Sequence, residues 1–570
     1  MELSEGNPVR SAGAKWYAGS WVRWAFDVQA GPRNRIIPRW IFLRALAVFY
    51  FSAFYSLLFQ IEGLIGARGV LPAERYLAAV RNVAGLLRFW YVPSLFWLGS
   101  GSHMMMFVTW LGLMASVAAF CNLWPRFSLL VCFLCFLSFV TAAQDFSSYQ
   151  SDGMLLEAGF LALFFAPRGV WPGWGIASPP PRASLYLLLW EWFRIYFESG
   201  MAKLLSGDVE WRNFTAMDEY YQNGPLPTWI GWYVEHLPHW FHVATVAGTL
   251  GMELAVVWML FLPRRARLIC FCIVTPWEIG VILTANYTFL NYLVLALGFL
   301  LLDDPSLRWL VPLRIRRSLP EPMPEQRAPA LKETSLTILE APDEVEDTSD
   351  AQVENLAQTG GLAGYFRAAR IAVTAVMLTW IGYATTAEMF RVAWSSVPLL
   401  MAPVTALEPF RIANQYGLFA VMTRGRYEIE FQGSNDGQNW TPYLFRYKPQ
   451  ALNEAPRIYA PYQPRFEWNL WFASLGDWQQ SNFVALTEER LLENDPDLLK
   501  LFRGNPFGQA PPRYVKAVLW QYWFTSIDEK RRTGNWWRRN PMGLYAPVMT
   551  RVEDGKFGAI EWPQNLPPHD

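Results

Sequence analysis

Long apolar runs separated by short polar connections dominate the first 400 residues, and a helix needs about 20 such residues to cross a bilayer. Nine runs meet or approach that length, at approximately 39–60, 104–122, 127–143, 153–166, 184–203, 240–262, 266–284, 288–302 and 367–390. Three are shorter than a full span, so 153–166 or 288–302 can be re-entrant or enclosed by other helices. The 61–103 connection, with Arg68, Arg75, Arg81 and Arg88, reads as an amphipathic helix lying on the membrane surface.

After residue 393 the apolar period changes. Tyr427 to Gln432 alternates as a strand, Ser434-Asn-Asp-Gly437 is turn chemistry, and Trp440 to Tyr447 alternates again, which predicts a hairpin over 426–448. A further strand is expected over Arg513–Thr525, and Asp495-Pro496 can cap a short helix running to Phe502. Between the two regimes, 305–363 combines Pro320, Pro322, Pro324, Pro329 and Pro342 with an acidic run from Glu340 to Asp350, the composition of a flexible linker. The chain therefore divides into an N-terminal segment (1–38), a transmembrane domain (39–304), a linker (305–363), a last transmembrane helix (364–392) and a C-terminal domain (393–570). The fold class expected is a polytopic α-helical membrane bundle of about 8–9 transmembrane helices followed by a mainly-β soluble extracytoplasmic domain.

Basic residues orient the bundle. Arg10, Lys15, Arg23, Arg33 and Arg35, the Arg264/Arg265/Arg267 cluster and Arg314, Arg316 and Arg317 fall on one side, whereas the 144–152 and 285–287 connections carry none. The positive-inside rule then places the N-terminus and linker in the cytoplasm and the C-terminal domain outside. The polar stretch before residue 39 argues against a cleaved signal peptide. Composition agrees with a lipid-facing chain: 53% of residues are hydrophobic and only 17% charged, and 48 basic residues balance 48 acidic ones. That balance excludes nucleic acid as a partner and disorder as the overall state, and it leaves membrane lipid as the natural surroundings.

Chemistry is sparse. The five cysteines lie in or beside apolar runs and cannot build a disulfide framework; Cys132 and Cys135 have redox spacing but no cation beside them. Ionisable groups inside spans are costly, so Glu157, Glu191, Arg194, Glu198, Lys203, Glu253 and Glu278 stand out, with Gln150, Asp152, Asp208 and Trp211 at their borders. Glu191, Arg194 and Glu198 share a helix face and suit a structural pair; a proton or substrate path is the rival. His236, His239 and His242 are weak metal candidates, because the third is rotated away from the first two and Pro238 interrupts the helix start. No sequence pattern calls for a cofactor, and nucleophile-elbow, phosphate-loop and dinucleotide fingerprints are missing. Three glycosylation sequons, at Asn213, Asn286 and Asn439, arise readily by chance.

Several long motifs resemble one family. These are Gln150-Ser-Asp-Gly-Met-Leu-Leu-Glu157-Ala-Gly-Phe160, Trp192-Phe-Arg194-Ile-Tyr-Phe-Glu198-Ser-Gly-Met-Ala-Lys203-Leu, and Asp208 to Trp211 followed by Pro225-Leu-Pro227. Further on come Asn414-Gln-Tyr-Gly-Leu-Phe-Ala-Val-Met-Thr423, Arg446-Tyr-Lys-Pro449 and Pro461-Tyr-Gln-Pro-Arg465-Phe-Glu-Trp468-Asn-Leu-Trp471-Phe472. In this order they are similar to the lipase maturation factor family, with Tyr462 where the family often has His and Glu467 where it often has Asp. The resemblance implies a multi-pass membrane folding factor, resident in the endoplasmic reticulum in eukaryotes, that helps secreted lipases fold and assemble. It also implies a distant likeness to the helical part of vitamin K-dependent carboxylase-like proteins. A cysteine-free C-terminal domain and the absence of a retention signal at the C-terminus suit a bacterial inner-membrane protein facing the periplasm, the reading preferred here, as well as an endoplasmic reticulum protein. A folding factor needs apolar surface for an immature client, and Tyr459, Tyr462, Arg465, Phe466, Trp468, Trp471 and Phe472 in a Pro-bounded loop are the candidate client-binding residues. A membrane enzyme built on Glu157, Arg194, Glu198 and Lys203, or a lipid-binding or transport protein, is the alternative; a solvent-reachable pocket of charges would favour the enzyme, and mutual pairing in a closed bundle the folding factor.

Overall fold

The computed structural model describes residues 20–147, 149–311, 316, 362–394, 396–552 and 555–564. Most of the linker expected at 305–363 lies outside the described residues, as do the first 19 residues and the C-terminal tail.

Each of the nine apolar runs contributes a helix. Among the described residues, six helices are long and apolar enough to cross a membrane: α1 (Ile36–Ile65), α3 (Ser102–Phe120), α4 (Pro125–Ala142), α7 (His239–Leu254, prolonged to Phe261 by a 3-10 turn), α8 (Arg264–Thr284) and α10 (Leu362–Ala393). α5 (Gln150–Phe165), α6 (Arg182–Leu205) and α9 (Leu290–Gly298) complete the set; they are shorter or carry buried charges, and α5 and α6 are enclosed by the others. Pro125 and Pro263 introduce α4 and α8, where a missing N–H costs nothing. The surface helix expected in 61–103 is α2 (Ala73–Ala84), followed by a run that exposes Val83, Leu86, Leu87, Phe89 and Tyr91.

The ends of the bundle differ. At one, the start of α1 is held by Arg35 donating to the carbonyl of Leu302 (3.0 Å), the Ile37 N–H to Asp304 (2.8 Å) and Arg39 to the carbonyl of Ser178 (2.8 Å). We call this the arginine-rich end. At the other sits the C-terminal domain, reached from the far end of α10.

That domain is an antiparallel sheet backed by helices. Its strands are β1 (Arg426–Ser434), β2 (Thr441–Pro442), β3 (Tyr514–Phe524), β4 (Trp537–Leu544), β5 (Val548–Arg551) and β6 (Phe557–Glu561), in the order β2-β1-β3-β5-β6, with β4 also on β3. The expected 426–448 hairpin closes only at its tip, where Gln432 faces Pro442 and Gly433 faces Thr441. Beyond Pro442 the chain leaves the sheet, and side chains satisfy the free edge of β1: Lys448 Nζ donates to the Ile429 carbonyl (2.5 Å) and Ser474 Oγ to that of Tyr427 (3.0 Å). β1 instead pairs along its whole length with β3, from Arg426 opposite Tyr522 to Ser434 opposite Tyr514. The helix expected to reach Phe502 stops at Leu499, with Asp495 Oδ1 capping the N–H groups of Asp497 (2.8 Å) and Leu498 (3.3 Å). Residues expected in a Pro-bounded loop form α11 (Arg465–Ala473), which packs Phe466 against Phe431, Phe445 and Phe502; α12 (Phe483–Leu492) lies on β3.

Candidate functional site

Burying a charge without a partner costs several kcal/mol, so the ionisable residues of α5 and α6 must have partners, and the partners lie in the C-terminal region. The segment Asn414–Thr423 runs over the domain end of the bundle as a strap with almost no secondary structure of its own, so its backbone groups need bonds from elsewhere. The bundle supplies them. Glu157 Oε2 accepts from Asn414 N (3.2 Å), Asn414 Nδ2 (3.2 Å) and the Tyr416 hydroxyl (2.9 Å), while its other oxygen pairs with Arg194. Arg194 also donates to the Asn414 carbonyl (2.8 Å) and stands 3.6 Å from Glu198, which accepts from Tyr416 N (2.7 Å). Gln150 accepts from Gly417 N (3.2 Å), Lys203 donates to the Leu418 carbonyl (2.9 Å) and to Glu253 (2.8 Å), Trp211 donates to the Phe419 carbonyl (2.9 Å), and Asp208 accepts from Met422 N (2.6 Å). Gly153 permits the approach: a Cβ there would lie 2.7 Å from Asn414 Oδ1.

A second strap, Arg457–Arg465, is held in the same way from the opposite flank. Asn286 donates to the Arg457 carbonyl (2.8 Å) and accepts from Tyr459 N (2.7 Å) and Ala460 N (3.0 Å). Ser52 donates to the Pro461 carbonyl (2.8 Å) and Gln60 to that of Gln463 (3.0 Å). Arg465 ends the strap in a two-pronged bond to Asp152 at 2.7 and 2.8 Å, with both side chains fully buried. Seven of the eight polar residues expected in the membrane domain therefore hold the first strap, and Asp152 holds the second. Glu191 is the exception: it is fully buried on α6 away from both straps, and Arg194 pairs with Glu157 and Glu198 rather than with it.

The expected client-binding residues divide. Arg465, Phe466, Trp468 and Trp471 are buried because they sit on the inward faces of α11; Tyr459 and Tyr462 are half-buried; Phe472 is exposed at 49%. Trp468, Trp471 and Phe472 nevertheless form one wall of an apolar groove of about 610 Å³, whose opposite wall is Leu418, Phe419 and Val421 of the first strap. Tyr149 and Tyr287 form its floor, stacking on Phe472 (6.0 Å between centroids) and packing on Phe419 (4.9 Å). Val421 is 67% exposed at the rim. Phe419 and Val421 belong to the Asn414–Thr423 motif, but their part in a groove follows only from the course of the strap past α11. Beneath α11, Glu467 accepts from the N–H groups of Arg446 (2.8 Å) and Tyr447 (2.8 Å), while burial pushes its carboxyl up to about 7.

The histidines do not converge. His236 bonds the carbonyls of Trp232 (2.7 Å) and Thr525 (3.0 Å), His239 meets Asp218 (2.9 Å), and His242 bonds the Leu237 carbonyl (3.1 Å). Cys132 and Cys135 are buried in α4, whereas Cys121 and Cys272 are exposed on apolar helices.

Spanning helices joined to a sheet domain by two hydrogen-bonded straps define a multi-pass membrane protein whose C-terminal domain is built into its bundle. Family models divide the chain at the same seam. One, described as the lipase maturation factor transmembrane domain, matches residues 37–309, and the lipase maturation factor C-terminal domain matches 412–547, so both straps lie in the second and grip the first. The chain is 31% identical to lipase maturation factor 2 of Gallus gallus over 90% of its own length and 81% of that protein's. It is 30% identical to lipase maturation factor 1 of Bos taurus, covering 93% and 92% of the two chains. The chain belongs to the lipase maturation factor family. No solved structure matches it.

Proposed function

We propose that this protein assists the folding or assembly of secreted lipases by holding an apolar segment of the immature client in the groove between α11 and the first strap, on the extracytoplasmic side of the membrane. The observation that carries the reading is the groove itself: two rigid indoles and Phe472 face Phe419 and Val421, with the amides of Asn223, Asn469 and Gln480 lining its edge. Such a surface holds an apolar segment without covalent chemistry. The charged residues favour a scaffold over a reaction centre, since Glu157, Arg194, Glu198 and Lys203 pair with one another, with Glu253 and with backbone. The arginine-rich end is the cytoplasmic one by the positive-inside rule, and in a bacterial host the domain faces the periplasm.

The test is to delete the gene in its host, restore it as wild type or as Phe472→Asp/Val421→Asp, and measure active against total secreted lipase. Both side chains are exposed, so the variant keeps its fold. Wild type restores the ratio and the variant does not. An unchanged ratio on deletion would remove the lipase reading; full rescue by the variant would remove the groove.

A further inference from the structure

At the arginine-rich end, four arginines from four parts of the chain lie close around one loop. Arg39 of α1 donates to the Ser178 carbonyl (2.8 Å), and the N–H of Arg168 donates to the Ser178 hydroxyl (3.3 Å). Arg126 of α4 donates to the carbonyl of Ala166, two residues before Arg168 (2.8 Å). Arg370 of α10 is the fourth, near enough to act electrostatically on both Arg126 and Arg168. Among the described residues, no carboxylate lies within ion-pair distance of any of the four, although Asp27 and Asp303 at the same end pair with Arg367 (2.6 Å) and Arg264 (2.5 Å). Arg39 is only 3% exposed, and its Nε and Nη2 are buried with no acceptor. An uncompensated charge cluster of this kind is costly and calls for an anionic partner.

The position of the cluster identifies that anion. Arg370 lies on the face of α10 that exposes Phe366 (72%) and Val373 (63%), so the cluster borders lipid-facing surface. Trp40, Trp124 and Trp171 are exposed at the same end, the residue type that settles at the headgroup level, and the Arg44 guanidinium lies 4.7 Å from the Trp40 ring. Forked arginine donors match phosphate oxygens in pairs. We propose that Arg39, Arg126, Arg168 and Arg370 form a binding site for the phosphate of an anionic phospholipid in the leaflet that meets this end of the bundle. Burial and the charge of Arg370 both lower the Arg168 pKa, as expected where a counter-charge is missing.

The experiment titrates the detergent-purified full chain with phosphatidylglycerol, phosphatidylcholine or inorganic phosphate and reads bound lipid by native mass spectrometry. Wild type takes up phosphatidylglycerol saturably and phosphatidylcholine without saturation. Arg168→Gln/Arg370→Gln, both at exposed positions, weakens the phosphatidylglycerol site about thirtyfold, since each cation near an anionic surface contributes about fivefold. Equal uptake of the two lipids, or an unchanged site in the double variant that retains wild-type hydrogen-exchange protection, overturns the proposal. Displacement of the lipid by an equal concentration of inorganic phosphate also overturns it and assigns the cluster to a soluble anion. Neutralising Glu340, Asp343, Glu344 and Asp347 leaves the affinity unchanged; a large gain would mean that the chain's own acidic run occupies the cluster, and would overturn the proposal too.

Discussion

Arg465→Met isolates the second strap. The substitution keeps most of the side-chain volume but removes both bonds to Asp152, which has 0% exposure and no other cation within ion-pair distance among the described residues. Breaking a buried pair from one side costs about 3–5 kcal/mol, which raises the population with the domain lifted from the bundle by about two to three and a half powers of ten. Asp152→Leu/Arg465→Met removes the stranded charge as well and should recover at least half of that loss, because well-packed apolar replacements of a buried pair are often neutral. Hydrogen exchange of the full chain in nanodiscs measures the effect directly. Amides of 465–473 lose protection by at least a hundredfold in the single variant and regain most of it in the double one, while those of β1 and β3 change little. Wild-type protection in Arg465→Met, or a double variant worse than the single, would show that the pair does not hold the domain.

Tyr416→Phe deletes the hydroxyl bond to Glu157 and should cost about 1.5–3 kcal/mol, read as a lower unfolding temperature together with faster exchange confined to 414–423. Gly153→Ala drives a methyl group against Asn414 and should cost about 1–3 kcal/mol with the same exchange signature; an unchanged strap would refute the close approach. Glu488 of α12 is fully buried with no cation paired to it among the described residues, and burial raises its carboxyl pKa well above the ordinary 4.5. A raised carboxyl contributes stability that is present below pH 4.5 and lost as pH rises toward the folded value. The thermal advantage of Glu488→Gln over wild type should therefore grow from pH 4.5 toward neutrality, by up to about 1.4 kcal/mol per pH unit, and a flat difference would refute the assignment.

All nine apolar runs were visible because a bilayer imposes a length and composition on every crossing, and β1 and β3 because their alternation is long. β4 escaped notice because Trp537–Leu544 carries Arg538, Arg539 and Pro541, the marks of an edge strand rather than of a core one. Within the site, the expense of buried charge draws attention to Glu157, Arg194, Glu198 and Lys203, yet their strap partners lie more than 200 residues away, beyond the reach of any local pattern. Aromatic side chains at 466–471 are ambiguous for a related reason: Trp and Phe fill cores and line interfaces alike, and Trp468 and Trp471 do both, buried on α11 while lining the groove.

The straps also set a timetable for biogenesis. Asp152 enters the membrane region 313 residues before its partner Arg465 is synthesised, which at ordinary elongation rates is an interval of about 15–60 s. Throughout it, α5 carries a carboxyl group without its guanidinium, and the backbone groups that occupy Glu157 and Glu198 do not yet exist. A truncated chain ending after α10 would remain in that unfinished state, the kind of half-built membrane domain that quality-control proteases remove. Completion of the bundle thus reports that the chain has been translated past both straps.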